Sequence, residues 1–140
     1  IVVFFNGEKR MKLIEQINLN NGLVLNIYDF SRPIAADTSK VGICIETEIT
    51  LKELYFSTFE DYLQVKNIFG EKIRFEYRKE RSFIDIKQEN DVRDELLMTF
   101  KNNSLNYIAS PNFPKNLALS KLRDIKNNPY KYIEKPEQET

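Results

Sequence analysis

The sequence contains no histidine, and this absence removes two common kinds of functional site. Histidine is the most frequent metal ligand and the most frequent general base near neutral pH. The 140 residues include one cysteine, Cys44, so no disulfide can form within this sequence. A single thiol suits a reducing compartment, and the prediction that follows is a cytoplasmic protein without a metal or a cofactor.

An excess of either charge and a long apolar run are also missing. Lys+Arg and Asp+Glu number 21 each, which leaves a net charge of +0. Nucleic-acid binders usually carry a basic excess because phosphate contacts dominate their affinity, so nucleic acid is a disfavoured partner. No apolar run reaches the roughly 18 residues that a transmembrane helix needs, and no membrane association is predicted. The hydrophobic fraction of 41% is typical of a globular core.

Motifs that would carry chemistry are scarce. The four glycines form neither a GxGxxG pattern nor a phosphate-binding loop. Cys44 alternates with Glu46 and Glu48 along a predicted strand, and these carboxylates would disfavour its thiolate. Since no histidine can serve as its base, Cys44 is not predicted to be a nucleophile. We therefore expect that the chain is not an enzyme.

Alternation of apolar and polar residues predicts the strands. Residues 1–5 form an apolar run before Asn-Gly and are expected to be a strand. Residues 12–19 and 23–29 flank a second Asn-Gly and predict a hairpin. Residues 41–52 alternate most clearly and predict a strand with one buried and one solvated face. Residues 72–85 fit either one long strand or a hairpin that turns near Lys79-Glu80.

Three helices are predicted from their end signals. Thr58 is placed to cap a first helix that ends at Gly70. A second helix is expected from Asn90 to about Asn102, and a third begins near Pro114. The predicted fold class is α+β, with a mostly antiparallel sheet of four to five strands and about three helices. One domain is expected over residues 1–130, followed by a loosely held tail at 131–140.

The segment from Tyr28 to Thr38 stands out because it mixes charges and hydroxyls with apolar residues. We expect it to be a loop that folds against the body of the protein, so its charges need partners. A second charged cluster at residues 81–85 adds two candidates to those of this segment. The candidate ligand-binding residues are Asp29, Ser31, Arg32, Asp37, Arg81 and Asp85. If the clusters meet, the arginines could hold a phosphate or carboxylate. The structural alternative is that Arg–Asp pairs pin the loop.

Residues 12–125 resemble small bacterial proteins that have no assigned function. The resemblance is carried by the stretch from Asn21-Gly22-Leu23 through Tyr28–Arg32 and by Arg81–Asp85. The resemblance implies no activity. Asp29-Phe30-Ser31 is also similar to the start of the (D/N)xSxxG motif of PilZ domains, which bind cyclic di-GMP. The glycine of that motif is replaced by Ile34, and the RxxxR motif is missing because Arg10 is followed four residues later by Ile14. The resemblance therefore implies at most a degenerate PilZ-like site.

Three functions are carried forward from the sequence. The first is a non-enzymatic cytoplasmic domain that binds a partner protein or self-associates, and residues 1–5 are its expected free edge strand. The alternative is a small-anion or nucleotide sensor, in which Arg32 and Arg81 lie side by side at an open pocket. An enzyme with an aspartate as its acid–base group is the third. Met11 resembles a natural start, which leaves the origin of residues 1–10 open.

Overall fold

The computed structural model describes residues 2–5 and 9–132, with side chains from Met11 onward. Most of the predicted C-terminal tail, residues 133–140, lies outside the described residues. The first two residues of that tail belong to a 3₁₀ turn, Pro129–Tyr132.

The strands form one sheet, and the α+β prediction is confirmed. The strands are β1 (Val2–Phe5), β2 (Lys9–Asn18), β3 (Val24–Asp29), β4 (Arg32–Ala35), β5 (Thr38–Thr50) and β6 (Lys72–Asp85). β1 pairs with β2, β2 with β3, and both β3 and β4 with β5, all antiparallel. β6 pairs with β5 as well. Because β3 and β4 follow one another along β5, the sheet is five strands wide.

The pairing of β6 with β5 is shown by three polar contacts that step in opposite directions along the two strands. These contacts are Lys40–Glu80 at 3.2 Å, Cys44–Glu76 at 3.7 Å and Glu46–Arg74 at 2.6 Å. The pair is therefore antiparallel. β6 runs through Lys79-Glu80 without a turn, so the long-strand alternative is the correct one.

The helices are α1 (Phe59–Phe69), α2 (Glu89–Ile108) and α3 (Phe113–Asn127). The Thr58 side chain accepts a hydrogen bond from the Asp61 amide at 3.1 Å, and Gly70 follows α1 with a φ of 87°, as predicted. The predicted end of α2 near Asn102 is wrong, because the helix continues to a fully buried Ile108. Burying an isoleucine gives about 1.5–3 kcal/mol, which exceeds the helix-propensity cost of two asparagines.

The chain divides into two compact units. The first comprises residues 1–48 and 74–111, and the second residues 49–73 and 112–140. In the first unit α2 covers one face of the sheet, where the Tyr77 and Phe100 rings lie 5.1 Å apart and Lys101 Nζ lies 2.9 Å from Glu15 Oε1. The single domain expected over residues 1–130 stays a prediction.

The second unit is built on the packing of α1 against α3. Its buried apolar side chains include Val65, Leu122 and Ile125. At its C-terminal end the Tyr132 ring meets the Phe69 ring edge-on, with 5.7 Å between centroids. These contacts give the unit an apolar centre of its own.

The predicted solvated face of β5 is largely buried, so that prediction is wrong for its first half. Gly42 and Cys44 are buried, and only from Glu48 onward does this face open to solvent. Cys44 belongs to an apolar cluster with Tyr28 and Phe30. The alternation within one strand cannot show this cover, because the covering side chains come from other parts of the chain.

The turn between β2 and β3 is tied to the end of α2. The Asn21 side-chain amide donates to the Ile108 carbonyl and to the Ser110 carbonyl, both at 2.8 Å. Its oxygen accepts from the Leu23 amide at 3.2 Å. The last carbonyls of a helix have no partner within the helix, so Asn21 supplies the partner that the Ile108 carbonyl lacks and also binds the segment that follows the helix at Ser110.

Candidate functional site

The predicted loop is a continuation of the sheet rather than a loop, because four of its residues form β4. The chain leaves β3 at Asp29 and re-enters the sheet at Arg32. Asp29 Oδ1 accepts from the Ser31 amide at 2.8 Å, and Ser31 Oγ accepts from the Gly42 amide at 3.1 Å. The side chains thus bridge the break between two strands that share β5 as neighbour. Asx turns of this kind are a local property of aspartate.

Phe30, inside this break, covers the backbone of β5. A Cβ placed on Gly42 would lie 2.8 Å from Cδ1 of the Phe30 ring and closer still to two other ring carbons. Only glycine allows the ring to lie there. From β6 the Arg78 guanidinium lies over the ring, 5.0 Å from its centroid. The apolar character of Phe30 was visible in the sequence, but its place over Gly42 was not.

Asp29 is held by α2 instead of by either predicted arginine. Arg93 Nη1 donates to Asp29 Oδ2 at 3.0 Å, and both side chains are about four-fifths buried, with 20% and 17% of their surface exposed. Arg93 also donates to the Asn90 side chain. An Arg–Asp pair therefore does hold this segment, but the arginine is Arg93, which was not among the residues predicted from the sequence. A partly buried pair of this kind leaves a charge uncompensated if one partner is removed.

The two charged clusters do meet, through the backbone. The Ile86 amide donates to the Asp37 carbonyl at 3.1 Å. The Asp37 side chain accepts from Thr38 Oγ1 at 3.1 Å, and Asp85 Oδ1 accepts from the Lys87 amide at 2.9 Å. Both carboxylates thus shape turns at one end of the sheet.

The structure does not bring Arg32 and Arg81 together. Arg32 lies on β4 and Arg81 on β6, with β5 between them. Arg81 Nη1 lies 2.6 Å from Glu95 Oε1 of α2. Arg32 is exposed and has no ion pair among residues 11–132. One guanidinium is therefore open, but the pair that a shared anion grip requires is not assembled.

Cys44 contacts a charged pair on β6, Glu76 and Arg78, that was not predicted from the sequence. Its Sγ donates to Glu76 Oε2 at 3.7 Å, and Arg78 binds the same carboxylate oxygen. Burial, reinforced by the charge of Glu76, raises the pKa of the Cys44 thiol to about 11. The thiolate is therefore disfavoured, as expected. Burial is the main reason for the raised pKa, and Glu76 raises it more than Glu46 does. The hydrogen bond from Arg78 lowers the pKa of Glu76, so this carboxylate is ionised near neutral pH.

A strained, exposed aromatic residue lies near the end of β6. Phe83 has a φ of 61°, a left-handed conformation that bulky residues seldom adopt, and 79% of its surface is exposed. It lies between Arg81, which is paired with Glu95, and Asp85, which caps the next turn. An outlier of this kind presents its side chain to solvent at the same end of the sheet as Asp37.

The two edges of the sheet differ sharply in composition. Among the described strands β1 pairs only with β2 and β6 only with β5, while the short, exposed β4 also has β5 as its single partner. β1 reads Val-Val-Phe-Phe and has no charged residue. β6 has five lysines or arginines and three acidic residues among its fourteen positions. Charged side chains on an edge strand deter further pairing, so β6 is protected and β1 is not.

Comparisons with known proteins give no relative for this arrangement: no family model, no curated protein and no solved structure matches the chain. Within residues 2–5 and 9–132, no helix is long and apolar enough to cross a membrane. The same residues contain no group of three or more Cys, Asp or Glu side chains placed to hold a metal ion.

Proposed function

We propose that this chain is a non-enzymatic protein-binding domain that takes up a strand of another polypeptide along β1. The observation that carries the proposal is the contrast between the uncharged edge β1 and the charged edge β6. An open edge offers a row of backbone donors and acceptors that are satisfied when another strand adds to the sheet. The absence of charge on β1 leaves nothing to repel that strand.

The polar groups inside the first unit support a binding role rather than a chemical one. Asp29 is occupied by Arg93, and Asp85 caps a turn. Burial and Glu76 keep Cys44 protonated at neutral pH, so its sulfur is a poor nucleophile. These three groups thus serve to hold the fold. A cytoplasmic location is part of the same proposal and rests on the single reduced thiol.

The proposal is tested by placing a charge on β1. We expect Val3→Lys to abolish any assembly or partner binding of the full chain, because a lysine on an edge strand must be desolvated when a new strand pairs. The loss should be at least tenfold in apparent affinity, or about 1.4 kcal/mol. Light scattering over a range of concentrations and affinity capture with the protein as bait measure it, and removal of residues 1–10 should have the same effect.

Val24→Lys is the matched control, since Val24 is an exposed valine on β3, which has partners on both sides. It adds the same charge to a strand that is not at an edge. Circular dichroism and thermal unfolding confirm that both variants fold. Assembly and captured partners that are the same for the wild type, Val3→Lys and the protein without residues 1–10 would contradict the proposal.

A small-anion or nucleotide sensor is a second candidate, in degenerate PilZ-like form. The observation in its favour is the exposed guanidinium of Arg32, which has no ion pair among residues 11–132. Arg81 would contribute only after release from Glu95. A thermal-shift screen with nucleotides and small anions should then raise the melting temperature of the wild type but not that of Arg32→Gln. The control is Arg123→Gln, another exposed arginine, on α3. Equal shifts in all three proteins, or none, would reject the sensor.

A further inference from the structure

We infer that Arg32 and Lys40 together form a binding site for a small phosphate-class anion. The inference rests on the second candidate function, the anion sensor, and adds to it a second cation and a ligand class; it does not depend on β1. It starts from the register of β4 and β5, in which Arg32 lies directly opposite Lys40. Residues in such positions have Cβ atoms about 4.5–5.5 Å apart on the same face of the sheet. The two cations are therefore neighbours.

The positive charge of this pair is only partly neutralised. Lys40 Nζ lies 3.2 Å from Glu80 Oε1 of β6, whereas Arg32 has no ion pair among residues 11–132. Two cations thus share one carboxylate. Like charges directly opposite each other destabilise a strand pair, so an acidic residue at position 32 would suit the sheet better than arginine does. The pairing of β4 with β5 does not account for Arg32, but an anion bound beside Lys40 does.

The two cations differ in how firmly they are held. The Lys40 side chain is only 13% exposed, and Glu80 fixes the position of its ammonium group. A largely covered charge is screened less by water and salt than one on the surface. Arg32 is exposed, so a ligand reaches its guanidinium from solvent. The next cation on β6, Arg78, is already bound to Glu76. The site therefore consists of two cations and suits a small anion.

The chemistry of the pair favours phosphate over carboxylate. A guanidinium forms two parallel hydrogen bonds to two oxygens of an anion. These bonds occupy both oxygens of a carboxylate, whereas a phosphate keeps a further oxygen for the Lys40 ammonium. A phosphate monoester also carries a charge of about −1.5 to −2 near neutral pH, which matches two cations. A small phosphate or phosphate ester is thus the ligand class that uses both residues.

An NMR titration of the full chain with inorganic phosphate, at constant ionic strength, tests the site. We expect Arg32→Gln and Lys40→Gln each to weaken phosphate binding by about tenfold, because each removes one of the two cations that hold the anion. Arg123→Gln is the control, since it removes an exposed arginine on α3 and should leave the affinity unchanged. Acetate should bind the wild type about tenfold more weakly than phosphate does.

A matched pair of carboxylate variants distinguishes Lys40 from Arg81 as the second cation. Glu80 is paired with Lys40, and Glu95 is paired with Arg81. We expect Glu80→Gln to bind phosphate on the order of threefold more tightly than the wild type, because the carboxylate that competes for Lys40 is gone. Glu95→Gln should bind phosphate as the wild type does. A merely structural role of Glu80 would not tighten binding.

Arg32→Glu tests whether binding rather than folding explains the arginine. The substitution places an acid opposite Lys40 and replaces a like-charge pair by an attractive one. In phosphate-free buffer it should raise the melting temperature by roughly 1–4 °C, while phosphate binding is lost. Thermal unfolding followed by circular dichroism measures the first effect and the NMR titration the second.

The outcomes separate this inference from the functions proposed above. Weaker phosphate binding by Arg32→Gln and Lys40→Gln, tighter binding by Glu80→Gln and a more stable Arg32→Glu support it. No phosphate binding, equal binding by the wild type and Lys40→Gln, equal binding of acetate, or a less stable Arg32→Glu overturns it. Tighter binding by Glu95→Gln instead of Glu80→Gln would also overturn it but would leave an anion sensor that uses Arg81. None of these results changes the test of β1, which is measured by partner capture.

Discussion

Gly42→Val should lower the free energy of unfolding by about 1–3 kcal/mol, because a side chain at position 42 enters the space of the Phe30 ring. The ring cannot easily yield. It is 5% exposed, and the Arg78 guanidinium lies over it from the neighbouring strand. Either the ring leaves the cluster around Cys44 or β5 moves away from it. Urea denaturation followed by circular dichroism measures the loss.

The cause can be isolated with a second substitution. Phe30→Ala alone should cost about 3–5 kcal/mol, since it removes a buried ring. Combined with Gly42→Val, the total should be smaller than the sum of the two, because the valine then occupies vacated space. Additive effects would show that the Phe30 ring is not what opposes a side chain at Gly42. Thr50→Val, at an exposed position of the same strand, is the control for adding a valine to β5.

Asn21→Asp should cost about 2–4 kcal/mol, counting two lost hydrogen bonds and a charge near two carbonyl oxygens. The wild-type amide donates to the carbonyls of Ile108 and Ser110, and a carboxylate has no proton to donate to either. It also places a negative charge near the negative end of the dipole of α2. Thermal and urea unfolding measure the effect.

Two further variants separate the lost donors from the added charge. Asn21→Ala should cost about 1–3 kcal/mol, less than Asn21→Asp, because it removes the donors without adding a charge. Asn20→Ala, at the exposed neighbouring position, should change stability by less than about 0.5 kcal/mol. Equal stability of Asn21→Asp and the wild type would mean that the turn does not secure the end of α2.

Capping and turn residues in the sequence correctly predicted the ends of elements that are determined by residues nearby in the chain. Thr58 and Gly70 determine where α1 begins and ends through a hydroxyl that caps amides and a glycine that tolerates a positive φ. The alternation in residues 72–85 left two topologies open. The long strand is the one formed because Lys40 and Glu46 of β5 contact Glu80 and Arg74 across the pair. The prediction failed at Asn102 and in the segment 28–38, where packing or strand pairing outweighs local preference.

The candidate site shows the same division. The sequence predicted that the charge of Asp29 needs a partner. In the structure Asp29 is largely buried and is paired with a residue of α2. It could not supply Arg93, which is 64 residues away along the chain. It grouped Arg32 with Arg81 because both are near acids, but the sheet places them on either side of β5 and gives Arg81 to Glu95. The functional roles predicted for these residues stay predictions.

By itself the sequence determined the α+β class, the absence of histidine and of a second cysteine, and the apolar character of residues 2–5. These properties follow from composition, from short-range periodicity and from side-chain type. The edge position of β1 was already expected from the sequence. The tertiary structure alone decided that β6 is a charged edge, that Phe30 covers Gly42, and that Asn21 binds the end of α2. Such contacts join residues from separate elements, and their partners are selected by the packing of the whole sheet and helix rather than by local sequence.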